Sequence, residues 1–474
     1  MKPGYFSLAL CLIPLAATAA PVATPYADNN GALPPASQYN GPLFKLSHAY
    51  PAKAATPAMP WRDAIQNGQI TLQNASVYAQ ALKEAVGKDM RTLLFDYTHW
   101  DAAARGWYNE PWLGSASPAL RYGGREAIHG MYVGTNPLDA SLFAASGLKR
   151  PITTYVLTYY DKVAAQTLNH IWTAGGGMKP NVTPTSTQFA EGSLIIKAAF
   201  VTAGPDVWPV MAGTQAWPLY ISTNATANPN PNDAPPPKVT NTYLMQFDII
   251  VKDSQSAPDT GWVFTTLVYD KNAKPGPNGI WDQMVVLGAQ WGNDPQANST
   301  VNPAAPLLQN WNNPAAPAYG SATLGWGNRL SGPNDGAMND IGYKDASGQQ
   351  KIVKNAQDSS CMGCHSTAQW NVKANDMPHW LLPSLSTKDK KAPVPVEGSD
   401  TAFLSPPPGS VEWLKWFQNR KGNVPMDAGS VAADFDMVLT FKSLPLWSTA
   451  TTGKAHRLAG FDLRGKPLAP RAGK

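Results

Sequence analysis

The stretch TYLMQFDIIV at residues 242–251, followed after a short polar interval by GWVFTTLVYD at residues 261–270, decides the fold class. Both segments are rich in β-branched and aromatic residues, which favour strands. Similar segments lie on either side, namely GSLIIKAAFV at 192–201, WPLYIST at 217–223 and DQMVVLGA at 282–289. We therefore expect the middle of the chain to form a β-rich, antiparallel central sheet.

Helical patterns flank these strands. Asn74 is suited to cap a helix through SVYAQALKEAVG, with apolar residues at helical spacing and Gly87 near its end. Further helices are expected over residues 162–172 and in VEWLKWFQNRKG at 411–422. The fold class predicted is α+β, with peripheral helices around the sheet. The stretches NATANPNPNDAPPPK and 293–318 are predicted to be exposed loops.

The chain is long enough for more than one core. Its 474 residues exceed the roughly 250–300 at which a single core stops growing. We expect a signal peptide at 1–19, an extended Pro/Ala-rich arm at 20–60, a mixed, mainly β domain at 61–345 and a separate functional region at 346–474. The last region could also pack as one unit with the preceding sheet.

The N-terminus and the charge balance restrict location and partners. Residues 1–21, MKPGYFSLALCLIPLAATAAP, combine one positive charge, a short apolar run and a small-residue cleavage pattern, which predicts export to the periplasm or secretion. No later apolar run is long enough to span a membrane. The formal net charge of +5 is too small to indicate a nucleic-acid partner.

Two of the three cysteines lie in the sequence SCMGCH at 360–365. Cys361, Cys364 and His365 form the C-x-x-C-H pattern of c-type haem attachment, in which two thioethers hold one porphyrin edge. The adjacent imidazole is then placed to be the proximal iron ligand. We therefore expect one covalently attached haem c, carried by the region 346–474.

Two other uses of paired cysteines must be weighed. A thioredoxin-like C-x-x-C should open a helix after a strand in a βαβ unit, and the neighbouring sequence does not show one. A zinc site would need two further ligands at short spacing, and His379 is the only nearby candidate.

A family resemblance extends beyond this motif. The segment from Val251 to Phe264, with the upstream strand GSLIIK at 192–197 and the downstream C-x-x-C-H, resembles cytochrome P460 and the β-type cytochromes c′. In that family a sheet, rather than a helical bundle, carries the haem. More broadly, the chain resembles large exported single-haem c-type cytochromes. The partial resemblance covers about 175 of the 474 residues.

The second axial position of the iron divides the functional hypotheses. Met426 on a predicted loop is the preferred distal ligand, ahead of Met377, Met437 and His379, and a methionine ligand would suit outer-sphere electron transfer. The resemblance instead implies an open position and a lysine cross-linked to the haem. The lysine carried over is Lys197, with Lys252 second. For each methionine and for Lys197, an ordinary structural role is the competing interpretation.

Three functions follow from these patterns. The first is one-electron transfer by a periplasmic c-type cytochrome with a redox partner protein. The second is a P460-like haem enzyme with an open distal site, acting on small nitrogen compounds or using peroxide. The third is a structural or sensory haem in a binding protein. Neither a nucleotide-binding loop nor a hydrolase motif is present in the sequence.

Overall fold

The computed structural model describes residues 24–26, 32–113, 124–134, 138–173, 176–222, 236–376, 381–383, 394, 396–399 and 401–452. The α-helices in this part of the chain are α1 Pro60–Ala64, α2 Ala75–Phe95, α3 Ala102–Arg105, α4 Ala164–Trp172, α5 Ile280–Gln283, α6 Ala318–Ser321, α7 Cys361–His365 and α8 Leu444–Thr452. None of these helices is long and apolar enough to cross a membrane. The expected signal peptide, Met377 and His379 lie outside the described residues.

The described strands form one large sheet and two small ones. They are β1 Trp107–Tyr108, β2 Tyr132–Val133, β3 Thr154–Asp161, β4 Leu194–Val201, β5 Ala216–Ile221, β6 Lys238–Lys252, β7 Trp262–Tyr269, β8 Met284–Gln290, β9 Asn310–Asn312, β10 Met338–Lys344, β11 Gln350–Gln357, β12 Gln369–Trp370, β13 Phe403–Leu404 and β14 Val431–Ala432. Nine of them pair in the order β1-β3-β4-β6-β7-β8-β9, with β2 added to β3 and β5 added to β6. Every pairing in this sheet is antiparallel. The predicted α+β class with a central antiparallel sheet is therefore confirmed.

One face of the sheet is covered by the long helix α2. Its buried residues Tyr78, Leu82 and Met90 pack in a core with Ile196 and other residues of the central strands. The helix begins after Asn74, as predicted, but it continues eight residues beyond Gly87. Gly87 therefore marks close packing rather than a helix end, because a Cβ there would lie 3.0 Å from the indole nitrogen of Trp281.

The opposite face is covered by α4 and by the C-terminal part of the chain. Ile195 and Ile250 of the sheet share one hydrophobic core with Cys361, Phe435 and Leu444. Because strand side chains alternate between the two faces, these sheet residues point away from α2. The C-terminal region therefore packs as one unit with the sheet.

Two predicted elements differ from the structure. The stretch 293–318 is not only exposed loop, since it contributes the edge strand β9, where the buried Asn310 side chain accepts a hydrogen bond from Leu330 N at 2.6 Å. The helix predicted over 411–422 is reduced to a short 3₁₀ turn, Trp413–Phe417. Its aromatic residues Trp413, Trp416 and Phe417 form a cluster with Trp326 and Ile341, so tertiary packing outweighs helical propensity there.

The N-terminal arm is anchored rather than loose. Between residues 32 and 59 it forms no helix or strand. Phe44 nevertheless enters the core under α2, and Tyr50 enters the core on the other face. The arm therefore runs along the edge of both layers.

Burial of His129 predicts sensitivity to acid. Its ring stacks on Trp217, with centroids 4.0 Å apart, and neither ring nitrogen has a hydrogen-bond partner in the described part of the chain. Burial lowers the pKa of His129 to about 3. The unfolded chain therefore binds a proton below pH 6.5 that the folded chain does not, so stability falls as the pH falls, by at most about 1.4 kcal/mol per pH unit.

The substitution His129→Phe keeps an aromatic ring stacked on Trp217 and removes the imidazole that binds a proton in the unfolded chain. We expect wild type to lose roughly 2 kcal/mol more than the variant between pH 6.5 and 4.5, measured by urea unfolding. His99→Phe, at a largely exposed side chain, is the control. Equal acid losses in wild type and His129→Phe would contradict this explanation.

Candidate functional site

The C-x-x-C-H segment forms the short helix α7, and its start is fixed to the sheet. The Ser360 side chain caps the helix by accepting from Gly363 N at 2.9 Å. Cys361 N donates to Leu330 O at 2.9 Å, and Met362 N donates to the buried Gln290 side chain of β8 at 3.0 Å. Hydrogen bonds from the backbone of the motif, and not only the packing of its cysteines, thus hold it in place.

The two thiols are unbridged and shielded. Cys361 is buried, with Sγ 3.4 Å from Asp335 Oδ2, and Cys364 is half-buried against Leu382 and Phe403. Burial raises the pKa of Cys364 to about 12 and raises that of Cys361 well above its ordinary value. A thioredoxin-like pair needs a thiolate with a lowered pKa, so these thiols do not fit that alternative.

His365 has one nitrogen engaged and one available. Its Nδ1 lies 2.8 Å from the backbone carbonyl oxygen of Phe435. A carbonyl can only accept, so Nδ1 carries the proton. Burial lowers the pKa of His365 to about 4, so the ring is neutral at pH 7 and Nε2 has a free lone pair. No hydrogen bond to Nε2 occurs among the described residues.

This arrangement fits an axial haem ligand. Metal-bound imidazoles donate their other N–H to a carbonyl or carboxylate, which fixes the tautomer and the ring orientation. Cys361, Cys364 and His365 are spaced so that their side chains share one face of a helix. The ring of Phe264 lies 4.7 Å from the imidazole, centroid to centroid, and gives that face an apolar wall. The three motif residues therefore fit a covalently held haem, whose iron would supply one-electron chemistry when bound.

The structure brings Lys197 close to the motif. Its Nζ lies 2.8 Å from Asp248 Oδ2 and 2.9 Å from Asp335 Oδ1, and Asp335 in turn contacts Cys361. Burial alone would lower the pKa of Lys197, but the two carboxylates raise it above its ordinary value. The side chain is therefore a paired ammonium, which disfavours covalent attack through Nζ.

Lys252, the second lysine candidate, is also paired. Its Nζ lies 2.7 Å from Asp434 Oδ1, and the same oxygen accepts from Trp262 Nε1 at 2.7 Å. Asp434 immediately precedes Phe435, whose carbonyl holds His365. Lys252 therefore touches the support of the imidazole rather than the motif itself.

Met426 lies in the aromatic cluster of Trp326, Trp413, Trp416 and Phe417. This cluster meets α7 at Gly363, where a Cβ would be 3.3 Å from Trp416 O. Gly363 does not share the helix face of the cysteines and His365. Met426 therefore packs against a cluster that meets α7 on the side away from the cysteines and His365.

Met437 is the other methionine candidate in the described part of the chain. It packs against the core that contains Phe264, Cys361 and Phe435. Sequence analysis ranked it below Met426 because it was expected in a regular element, where core packing is common.

Three supports of the site were not predictable from the sequence, namely Asp335, Asp434 and the Phe435 carbonyl. The two aspartates carry no local motif, and a backbone carbonyl has no side-chain signature. Among the described residues, no group of three or more His, Cys, Asp or Glu side chains is arranged to hold a metal ion directly.

A surface cleft of about 510 Å³ lies beside residues 329–330, and Leu330 O accepts the hydrogen bond from Cys361 N. Its walls are mostly polar and include Asn310, Asn312 and Arg329. All five N–H donors of Arg329 need partners, and four contacts to backbone carbonyls hold the side chain in place. The cleft does not include the motif side chains.

Comparison of the chain with models of protein families, with curated proteins and with solved structures found no match. The functional argument therefore depends on the geometry of this chain.

The cap of α7 can be tested directly. Ser360→Ala removes the hydroxyl that accepts from Gly363 N, and we expect the free energy of unfolding to fall by about 1 kcal/mol. Ser359→Ala is a matched control, because its hydroxyl makes only a long contact of 3.4 Å to Ser360 O. Equal losses in both variants by urea unfolding would rule out a specific capping role.

Proposed function

We propose that this protein is an exported c-type cytochrome that carries one covalently attached haem and transfers single electrons to and from a redox partner. The observation that carries the proposal is the state of His365. It is neutral, its Nδ1 proton is engaged by Phe435 O, and Nε2 is free beside two unbridged cysteines.

The surroundings of the motif support this chemistry. The haem-facing side of α7 packs in the large core with Trp262, Phe264 and Phe435. An apolar shell excludes water and lowers the local dielectric constant, which are the means by which a protein tunes a haem potential. Rigid burial also limits the reorganisation that accompanies electron transfer.

The covalent link is the first test. The full chain, expressed with export and haem-attachment machinery, should gain the mass of one haem, which should persist after acid–acetone extraction. Cys361→Ala with Cys364→Ala should remove covalent haem completely. Met362→Leu changes a buried neighbour without touching the thiols and should retain it. Free or mutually bridged thiols in the wild-type protein would refute the proposal.

A second function is favoured by the placement of Met426. A methionine that stays packed against the aromatic cluster would leave the distal iron position without that ligand, as expected for a P460-like enzyme with an open site. Such an enzyme would act on small nitrogen compounds or use peroxide. The charged group of Lys197, Asp248 and Asp335 beside Cys361 would then provide polar contacts near the haem edge.

Spectra of the ferric protein separate the two functions. Electron transfer with a methionine ligand predicts a low-spin iron and a sulfur charge-transfer band that disappears in Met426→Ala or in Met437→Ala. An open site predicts a high-spin iron that binds NO or hydroxylamine, with both methionine variants unchanged. The second result would replace electron transfer by the enzymatic function. A haem that neither cycles with electron donors nor binds these ligands would indicate a structural role.

A further inference from the structure

The backbone that presents a carbonyl to His365 is in a costly conformation. Asp434 has φ 45° and Phe435 has φ 70°, so two consecutive residues other than glycine are in the left-handed region. Each costs about 1–2 kcal/mol relative to ordinary backbone. Such a conformation persists only where surrounding contacts impose it.

The side chain of Asp434 makes those contacts. Its carboxylate is fully buried, with 0% of the side chain exposed. Oδ1 accepts from Lys252 Nζ and from Trp262 Nε1, each at 2.7 Å. Oδ2 accepts from Lys252 Nζ at 3.0 Å and from Phe189 N at 2.8 Å. The carboxylate therefore connects the C-terminal segment to two strand residues, Lys252 and Trp262, and to the backbone of Phe189.

The backbone around Asp434 is also tied down. Asp434 N donates to Gly422 O at 3.1 Å, and Ala433 N donates to Ala368 O at 2.9 Å, three residues after His365. Gly422 is needed for this packing, because a Cβ at that position would overlap the Asp434 carboxylate. The close packing against Gly422, the ion pair with Lys252 and these backbone hydrogen bonds thus fix the orientation of the Phe435 carbonyl.

We propose that Asp434 is a positioning residue for the His365 imidazole. By holding residues 434 and 435 in the left-handed conformation, it aims Phe435 O at Nδ1 and thereby sets the tautomer and ring orientation. Lys252 and Trp262 act with it, and this gives a role to two residues in the segment that carries the family resemblance. The consequence at an iron rests on the proposed function, whereas the consequence for the imidazole does not.

The central variant is Asp434→Asn. Asparagine tolerates the left-handed backbone, so the change tests the side-chain bonds and not backbone propensity. The amide loses the charge that pairs with Lys252, and its NH₂ group faces N–H donors that previously met an oxygen. We therefore expect Phe435 O to lose its fixed orientation.

Asp253→Asn is the matched control. Asp253 follows Lys252 in the chain, has a fully buried carboxylate and accepts from Arg62 Nε at 2.8 Å and Tyr78 OH at 2.7 Å. Its partners belong to α1 and α2, on the opposite face of the sheet. The control should lose comparable stability without affecting His365.

The first measurement is the ¹⁵N NMR spectrum of imidazole-labelled full chain without haem. Wild type and Asp253→Asn should show His365 as a single Nδ1–H tautomer. In Asp434→Asn a second, Nε2–H population should become detectable, at a tenth of the molecules or more. An unchanged single tautomer in Asp434→Asn, or an equal change in Asp253→Asn, overturns the inference.

The second measurement is resonance Raman spectroscopy of the ferrous haem-loaded chain in a Met426→Ala, Met437→Ala background, because the iron–histidine stretching band is observed only when the iron has no second axial protein ligand. The iron–histidine stretching band should shift to lower wavenumber in Asp434→Asn and stay in place in Asp253→Asn. An unshifted band in Asp434→Asn also overturns the inference. If no variant takes up haem, the proposed function fails while the NMR result still decides the role of Asp434.

Two milder variants apply if Asp434→Asn does not fold. Trp262→Phe removes one donor to Oδ1, and Gly422→Ala forces the carboxylate to move. Both should give the same changes at His365 with smaller amplitude. A folded Trp262→Phe and a folded Gly422→Ala that both leave the tautomer unchanged would refute the positioning role.

Discussion

The central sheet is apolar on both faces, and this constraint determines where the rest of the chain must lie. Strands such as β7 are buried along their whole length, so each face needs a covering layer. One layer is provided by α2, and the other by α4 together with residues from the stretches 361–370 and 433–446. The haem motif is part of the second layer, which explains why its residues share a core with the sheet.

Apolar packing alone does not fix the orientation of such a layer, because the hydrophobic effect is non-directional. Directional contacts are supplied by two buried ion pairs that connect the sheet to later segments. Lys197 meets Asp335 from the loop before β10, and Lys252 meets Asp434 from the C-terminal layer. Breaking a buried pair by removing one partner typically costs about 3–5 kcal/mol. We infer that these pairs set the register of the second layer on the sheet.

The sequence contained enough information for the sheet and the motif, but not for their connection. The strand predicted at 242–251 is present as Lys238–Lys252 because β-branched and aromatic residues dominate it. Thr154–Asp161 has a similar composition, and its signal was overlooked. By contrast, apolar and polar residues alternate only weakly along β10 and β11, and several positions are polar. The hydrophobic periodicity therefore does not predict these two strands.

The site shows the same division. Cys361, Cys364 and His365 could be proposed as site residues because the whole motif lies within five consecutive residues. The carbonyl that orients His365 belongs to the backbone of a residue 70 positions away. Because any residue type has such a carbonyl, the sequence does not predict this contact. Met426 was preferred for its spacing from His365 and its predicted loop, and neither tells which side of a helix that loop will cover. Long-range packing decides that, and here it places Met426 in the aromatic cluster.

The charges around the motif bear on the chemistry of a bound haem. Burial would raise the pKa of Asp335, but the Lys197 ammonium and hydrogen bonds hold it below its ordinary value. Asp335 Oδ2 lies 3.4 Å from Cys361 Sγ, whereas the Lys197 ammonium pairs with the other oxygen of this carboxylate, so the charge that touches Cys361 is negative. Under the proposed function, this charge stabilises the ferric state, which carries one more positive charge than the ferrous state. It thus lowers the reduction potential, opposite to the effect of a methionine ligand. The fixed charge of Asp335, held in place by Lys197 of the sheet, and the identity of the distal ligand are therefore independent determinants of the potential.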